Sequence, residues 1–221
     1  MHHLDTSHLL KDFGGSAANN LNNLINHVDT PGEVDVSSIS QYVTIQQLPG
    51  YISSQAGKIS LLTLNCQSIN AKFDELYAVL HDLNTRHSLK FSIILIQETW
   101  VSGTEPEVSC YQLPGYQSFA LGASCSSKGG LLCYVLESIT AKVRMKIDNS
   151  NIFECMFLEL EGLATTPIII GNIYRPPRSN NNDKSITNFI KEFNPVLSNL
   201  VREFDNIILA GDFNINLLKL H

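Results

Sequence analysis

The chain has 221 residues, 43% of them hydrophobic, with a formal charge of −6 and five cysteines: enough apolar content for one sizeable core plus an extension. The acidic balance excludes a generic basic nucleic-acid coat, whose affinity comes from neutralising phosphates, but not an enzyme that works on phosphates through a bound divalent cation. An odd cysteine count without a C-x-x-C pair points to reduced thiols rather than a disulfide framework or zinc knuckle, and neither a signal-peptide pattern nor an eighteen-residue apolar run is present, so no secretion and no membrane span are expected.

Residues 1–57 form a stretch apart, a leader or linker of low order: one basic residue, Lys11, stands against Asp5, Asp12, Asp29, Glu33 and Asp35, among many Asn and Ser. A short helix around "NNLNNLINHV" is the one element it suggests. From Lys58 the texture changes. "KISLLTLN" reads as a strand, "FDELYAVLHDL" keeps Phe73, Leu76, Val79, Leu80 and Leu83 on one helical face, and "FSIILIQE" reads as a second buried strand. This β-α-β order predicts parallel neighbours joined by a crossover, which brings Asn65 and Glu98 to the same edge of a sheet. "GYQSFAL", "GGLLCYVL", "NIFECMFLELEG" and "TPIIIGNIY" follow as strands separated by turn residues, and predict a second, largely antiparallel sheet. A helix from about Lys184 carries Ile186, Phe189, Ile190, Phe193, Leu197, Leu200, Val201 and Phe204 on one apolar face, with a kink expected at Pro195. It leads into a buried strand from Asn206 to Gly211, where the glycine permits a sharp turn.

Four apolar runs thus end in polar groups: Asn65, Glu98, Tyr174, and Asp212 with Asn214. Spread through the sequence but each at a carboxyl-terminal strand end, they can converge on one pocket between packed sheets. Their chemistry suits phosphodiester hydrolysis with a hard metal. A glutamate can hold Mg²⁺, which binds through few carboxylates and keeps several waters; an aspartate can orient or deprotonate water; amides and a tyrosine hydroxyl can donate to phosphate oxygens. Each piece alone also has a plainer reading. Asp212 and Asn214 can form an Asx turn, Tyr174 can be a core aromatic before a strand-ending Pro-Pro, and Gly129 with Gly130 reads as a backbone device permitting a bulge or close packing. Trp100 reads as packing beside the site, and the histidines as solvated or structural.

"LNCQSI", "IQETW", "KGGLLCYV", "NIYRPP" and "LAGDFN", in this order, resemble the endonuclease/exonuclease/phosphatase family, specifically the apurinic-endonuclease-like domain of non-LTR retrotransposon polyproteins. The resemblance covers residues 58–221, and the YRPP form points to the retroelement branch. It implies an α/β fold: a four-layer sandwich of two mixed β-sheets flanked by helices. It also implies Glu98 as the Mg²⁺ ligand, with Mn²⁺ as a substitute, and Asn65 as an organiser of the catalytic network. Tyr174 would contact the scissile phosphate, Asp212 would position the attacking water, Asn214 would support metal network and phosphate, and Arg175 would touch the DNA backbone at the rim, with Arg178 and Lys184 available as further basic groups. The implied partner is DNA, with a reverse transcriptase downstream in the polyprotein and action in the nucleus.

Members of the family continue past GDFN to a Ser-Asp-His close, a tripeptide this sequence does not contain. The expectation is therefore a fold and site incomplete at the C-terminus. Beside the DNA-nicking endonuclease stand two further readings: a same-fold phosphatase or phosphodiesterase acting on another substrate, and a catalytically dead remnant.

Overall fold

The computed structural model describes residues 47–53, 59–123, 127–149, 152–177 and 186–215. The chain divides into two compact units, the larger running from Gly57 to Asn214. In the other, the described residues include one short helix, α1 (Leu48–Ser53); the helix expected around residues 19–28 lies outside the described residues.

In the larger unit the order is β1 (Leu61–Asn65), α2 (Ile69–His87), β2 (Ile93–Gln97), α3 (Glu105–Val108), a 3₁₀ turn (Ser109–Tyr111), β3 (Tyr116–Leu121), β4 (Leu131–Leu136), β5 (Thr140–Asn149), β6 (Phe153–Glu161), β7 (Ile168–Tyr174), α4 (Ile186–Glu203) and β8 (Asn206–Asp212). The strands build two mixed four-stranded sheets, ordered β1-β2-β4-β3 and β5-β6-β7-β8. Each sheet holds one parallel pair, β1 with β2 and β7 with β8, and in each case the connection contains a long helix, as parallel pairing requires.

Side-chain alternation fixes the layers. On β4, Cys133 meets Asn172 of the second sheet at 3.4 Å, so it faces inward. Tyr134 therefore faces outward, where its hydroxyl donates to the Tyr111 carbonyl and the Tyr111 ring meets Phe73 of α2 edge-on at 5.4 Å. On the second sheet Phe153 faces the opposite way and packs edge-on against Phe189 and Phe193 of α4, each at 5.6 Å. The layers thus run α2, first sheet, second sheet, α4. All five residues of β2 and all seven of β7 are buried, which is why these two strands are apolar on both faces apart from Gln97 and Asn172.

Helix α2 ends on Ser88 in left-handed conformation (φ 53°), with Ser88 N–H donating to Asn84 and Leu89 N–H to Leu83, a left-handed close that satisfies carbonyls of the last turns. Helix α4 continues through Pro195. Among the described residues no helix is long and apolar enough to cross a membrane.

Three expectations change. The strands "GYQSFAL" and "GGLLCYVL" belong to the first sheet, where β4 inserts beside β2. The second sheet instead gains β5, whose apolar residues are few and whose alternation is interrupted by a register shift between Val143 and Met145, so neither a run nor a strict period marks it. Finally, β8 is an edge strand among the described residues, with Ile208 38% exposed. It passes through Gly211 without turning: the glycine has φ 139°, and a Cβ there would sit 1.9 Å from the Ile173 carbonyl oxygen, so its role is close strand approach.

Candidate active site

Strand register places the polar residues before any side chain is considered. Glu154, Tyr174 and Asp212 are direct cross-strand neighbours on β6, β7 and β8, and Asn65 lies opposite Gln97 on β1 and β2. Neighbours in one row share a face. Asn172, two positions before Tyr174, donates across to the Ile96 carbonyl and accepts from Gln97 Nε2 at 2.6 Å, so both rows face the space between the sheets.

There the side chains join. Asn65 Nδ2 donates to Glu98 Oε1 and to Asp212 Oδ2, each at 2.7 Å, so one neutral amide serves two carboxylates from different sheets. Asp212 is held further by Asn214, whose backbone N–H reaches Oδ1 at 3.0 Å and whose Nδ2 reaches Oδ2 at 3.1 Å. The second hydrogen of that amide goes to the Arg175 carbonyl at 2.8 Å. Asn214 therefore spends both amide hydrogens on holding Asp212 and the β7 end together. The Tyr174 hydroxyl bonds to Glu98; burial first, and then the Glu98 and Asp212 charges, raise its pKa above the ordinary phenol value, so it stays protonated as a donor.

The loops carrying these groups are conformationally expensive. Gln67, Ser68, Glu98, Trp100 and Asn214 all have positive φ, between 48° and 96°, without being glycine, a concentration of backbone strain that marks sites held by surrounding structure. For Glu98 that structure is visible. Its carbonyl accepts from Ser68 N–H at 2.8 Å, while the next two amides, Thr99 and Trp100, donate to Gly130 and Gly129 at 3.2 and 3.0 Å.

Arg175 is where the structure departs from expectation. Far from the rim, it is 1% exposed; Nη1 donates to the carbonyls of Phe213 and Asn214 at 3.2 and 3.0 Å, and the guanidinium lies 6.0 Å from the Phe189 ring centre. Its fork ties down the turn after β8, a task suited to a rigid planar donor set. Arg178 and Lys184 lie outside the described residues.

Sequence reasoning also missed residues. Gln97 and Asn172 form the polar link between the sheets, with Thr63 Oγ1 accepting from Gln97 at 3.2 Å; both sit inside apolar runs, and a polar residue interrupting "IILIQ" or "IIIGNIY" is the only signal. Glu154 was read as part of an apolar strand, yet it is a fully buried carboxylate whose Oε2 accepts from Gly130 N–H at 2.6 Å. Cys66, beside the Glu98 carbonyl, is pushed up to about 12 by burial and is not a nucleophile.

The donor chemistry fits a hard divalent ion. Glu98 and Asp212 bring two carboxylates together with a single shared donor between them, and oxygen ligands without sulfur or imidazole suit Mg²⁺. Among the described residues no group of three or more His, Cys, Asp or Glu is placed to hold a metal ion by itself.

No protein-family model matches the chain, and no curated protein matches it in sequence. Solved structures do match in fold. A truncated TDP2 of Caenorhabditis elegans superposes with TM-score 0.52 at 14% identity, over 72% of this chain and 63% of that one. An endonuclease/exonuclease/phosphatase family protein from Bacteroides thetaiotaomicron gives 0.51 at 13%, over 74% and 65%. The chain has the endonuclease/exonuclease/phosphatase fold. An AP endonuclease from Archaeoglobus fulgidus shares that fold with TM-score 0.50 at 16% identity, over 74% of this chain and 61% of that one. This chain thus spans less than two thirds of the length of all three. The endonuclease/exonuclease/phosphatase fold is the two-sheet sandwich described above, and the candidate site lies where its β1, β2, β7 and β8 end.

Proposed function

We propose that this chain is a divalent-metal-dependent phosphodiester hydrolase that nicks DNA. The observation that carries the reading is Asn65 bridging Glu98 and Asp212, with Tyr174 bonded to the same glutamate, in a fold shared with an AP endonuclease. The YRPP segment supports the finer reading, an endonuclease serving a non-LTR retroelement in the nucleus, with the nick extended by a reverse transcriptase.

Glu98 would hold Mg²⁺, or Mn²⁺ in its place. When bound, the ion supplies Lewis-acid polarisation of a phosphate oxygen. Asp212, fixed on both oxygens by Asn65 and Asn214, takes a proton from the attacking water. The water oxygen bonds to phosphorus, the P–O bond to the 3′ oxygen breaks, and the departing oxygen takes a proton from solvent water to leave as a 3′ hydroxyl, while Asp212 returns its proton to the hydroxide so formed. Tyr174 keeps its proton and donates a hydrogen bond to a phosphate oxygen where charge develops.

Nicking of supercoiled plasmid in Mg²⁺ tests this. The expected result is activity that falls by at least about 100-fold in Glu98→Ala and Asp212→Ala. Nicking indifferent to both changes would sink the reading, and turnover of inositol phosphates without nicking would move the same chemistry to another substrate.

A further inference from the structure

We infer that Glu154 is a positioning residue for Glu98, acting through the Gly129–Gly130 loop. The inference rests on the proposed role of Glu98 as metal ligand.

Glu98 leaves β2 with φ 55° and Trp100 follows with φ 60°. Nothing intrinsic to glutamate or tryptophan favours that conformation, so it persists only where neighbours impose it. One side of the segment is fixed by the start of α2, where Ser68 and Ile69 N–H donate to the Glu98 and Thr99 carbonyls at 2.8 and 3.0 Å. The other side depends on two glycines, whose carbonyls accept from Trp100 and Thr99.

Those glycines have φ 77° and 84° and would not hold their place unaided. Glu154 holds them. Its Oε2 accepts from Gly130 N–H at 2.6 Å, and its Oε1 fills the space beside Gly129 so closely that a Cβ there would lie 2.2 Å away. The carboxylate is on the row shared with Tyr174 and Asp212, so one strand row carries both the reacting groups and the brace for the opposite sheet's ligand. A buried carboxylate held by a glycine amide is expensive to keep, which favours a role beyond packing.

The only tryptophan, Trp100, sits inside the braced segment, so its near-ultraviolet circular dichroism and emission report the loop whether or not a metal binds. The test compares the parent with Glu154→Leu, which keeps bulk but accepts nothing, and Glu154→Gln, which keeps an oxygen for Gly130 N–H. Mn²⁺ affinity is read by electron paramagnetic resonance, beside nicking rates. Glu154→Leu is expected to change the Trp100 spectrum, weaken Mn²⁺ binding about tenfold or more and lower kcat with little change in KM, as losses of supporting contacts around metal ligands do. Glu154→Gln is expected to restore the spectrum and bring Mn²⁺ affinity to within about threefold of the parent. A folded Glu154→Leu with parental Trp100 spectrum and Mn²⁺ affinity overturns the inference. If that variant does not fold, Glu154→Gln decides: folded but as weak for Mn²⁺ as a tenfold loss, it shows that charge rather than loop position matters. A parent that binds no Mn²⁺ and does not nick defeats the metal-hydrolase reading instead, while the Trp100 spectra still show whether Glu154 sets the loop.

Discussion

Asn65 and Asp212, 147 positions apart and on different sheets, are joined by one 2.7 Å hydrogen bond, and the same Asn65 nitrogen reaches Glu98. Two anionic groups from separate halves of the sandwich are thereby held around a neutral donor that can take the place of neither charge. The arrangement orders the carboxylates while leaving their negative potential for a cation, and it makes the relative placement of two sheets a determinant of the site.

Replacing Asn65 by Ala removes the shared donor and leaves Glu98 and Asp212 as unbridged like charges. We expect kcat for nicking to fall about 100-fold, with thermal stability lowered by only about 1 kcal/mol because both carboxylates regain water at their half-exposed positions. Steady-state nicking and denaturant unfolding of Asn65→Ala check both numbers; a loss of rate matched by a collapse of the fold would show that the bridge is structural.

Arg175 gives a prediction with a different readout. A phosphate-contacting arginine contributes to the salt dependence of DNA affinity, whereas one buried against carbonyls does not. Arg175→Ala is expected to lower stability by about 2–3 kcal/mol, since the Phe213 and Asn214 carbonyls lose their charged donor, and to leave the slope of log affinity against log salt unchanged. A slope reduced by about one would place the guanidinium on DNA after all.

How much of this was legible in the sequence depends on which residues had only local work to do. Asn65, Glu98, Tyr174 and Asp212 were visible as polar ends of apolar runs, because a strand end is a local pattern and the β-α-β order fixes which edge it reaches. Arg175 was misplaced because direction is not local: the turn after β8 comes back beneath it, and nothing in "NIYRPP" says so. Strand β5 was invisible since an outer strand carrying Lys142, Arg144 and Lys146 has little apolar signal, and its partner Glu159 and Glu161 carboxylates, which Lys142 meets at 2.9 and 2.8 Å, lie on the neighbouring strand. Assigning β3 and β4 to the wrong sheet has another origin: β4 is buried along almost its whole length, and an apolar strand buried on both faces carries no mark of which neighbour it pairs with, while β3 simply follows β4 as its antiparallel partner. Glu154 was hidden by being one acid at the start of "NIFECMFLELEG", although alternation sets it on the apolar row of Met156, Leu158 and Leu160.

The Gln97–Asn172 pair sets a stability test. Asn172→Ala takes away the oxygen that accepts from Gln97 Nε2 and leaves the Ile96 carbonyl without its side-chain donor inside the sandwich; about 2–3 kcal/mol of destabilisation is expected. Replacing both residues by Leu removes donor and acceptor together and should recover part of that loss, because two apolar groups of similar shape leave fewer unsatisfied atoms. Urea unfolding of Gln97→Leu, Asn172→Leu and their double gives the coupling energy, and strict additivity would mean the link carries no energy of its own.

Glu154 supplies a pH dependence whose sign can be worked out. Burial raises its pKa from the ordinary 4.5 to about 7; the Gly130 N–H works against that, the Asp148 and Glu98 charges add to it, and Lys128 opposes it. Between those values the folded state holds a proton that the unfolded chain has released. Folding is therefore favoured at the acid end of the interval, and this contribution is lost as pH climbs through 7. Full ionisation corresponds to roughly 3 kcal/mol. In Glu154→Gln the group no longer titrates, so the stability difference between variant and parent should move in favour of the variant as pH rises from about 5 to 8. Denaturant unfolding across that range, without added divalent ions, measures the difference directly. A difference flat with pH would mean that water reaches the carboxylate, and that the brace on Gly130 is made by an ion that is charged throughout.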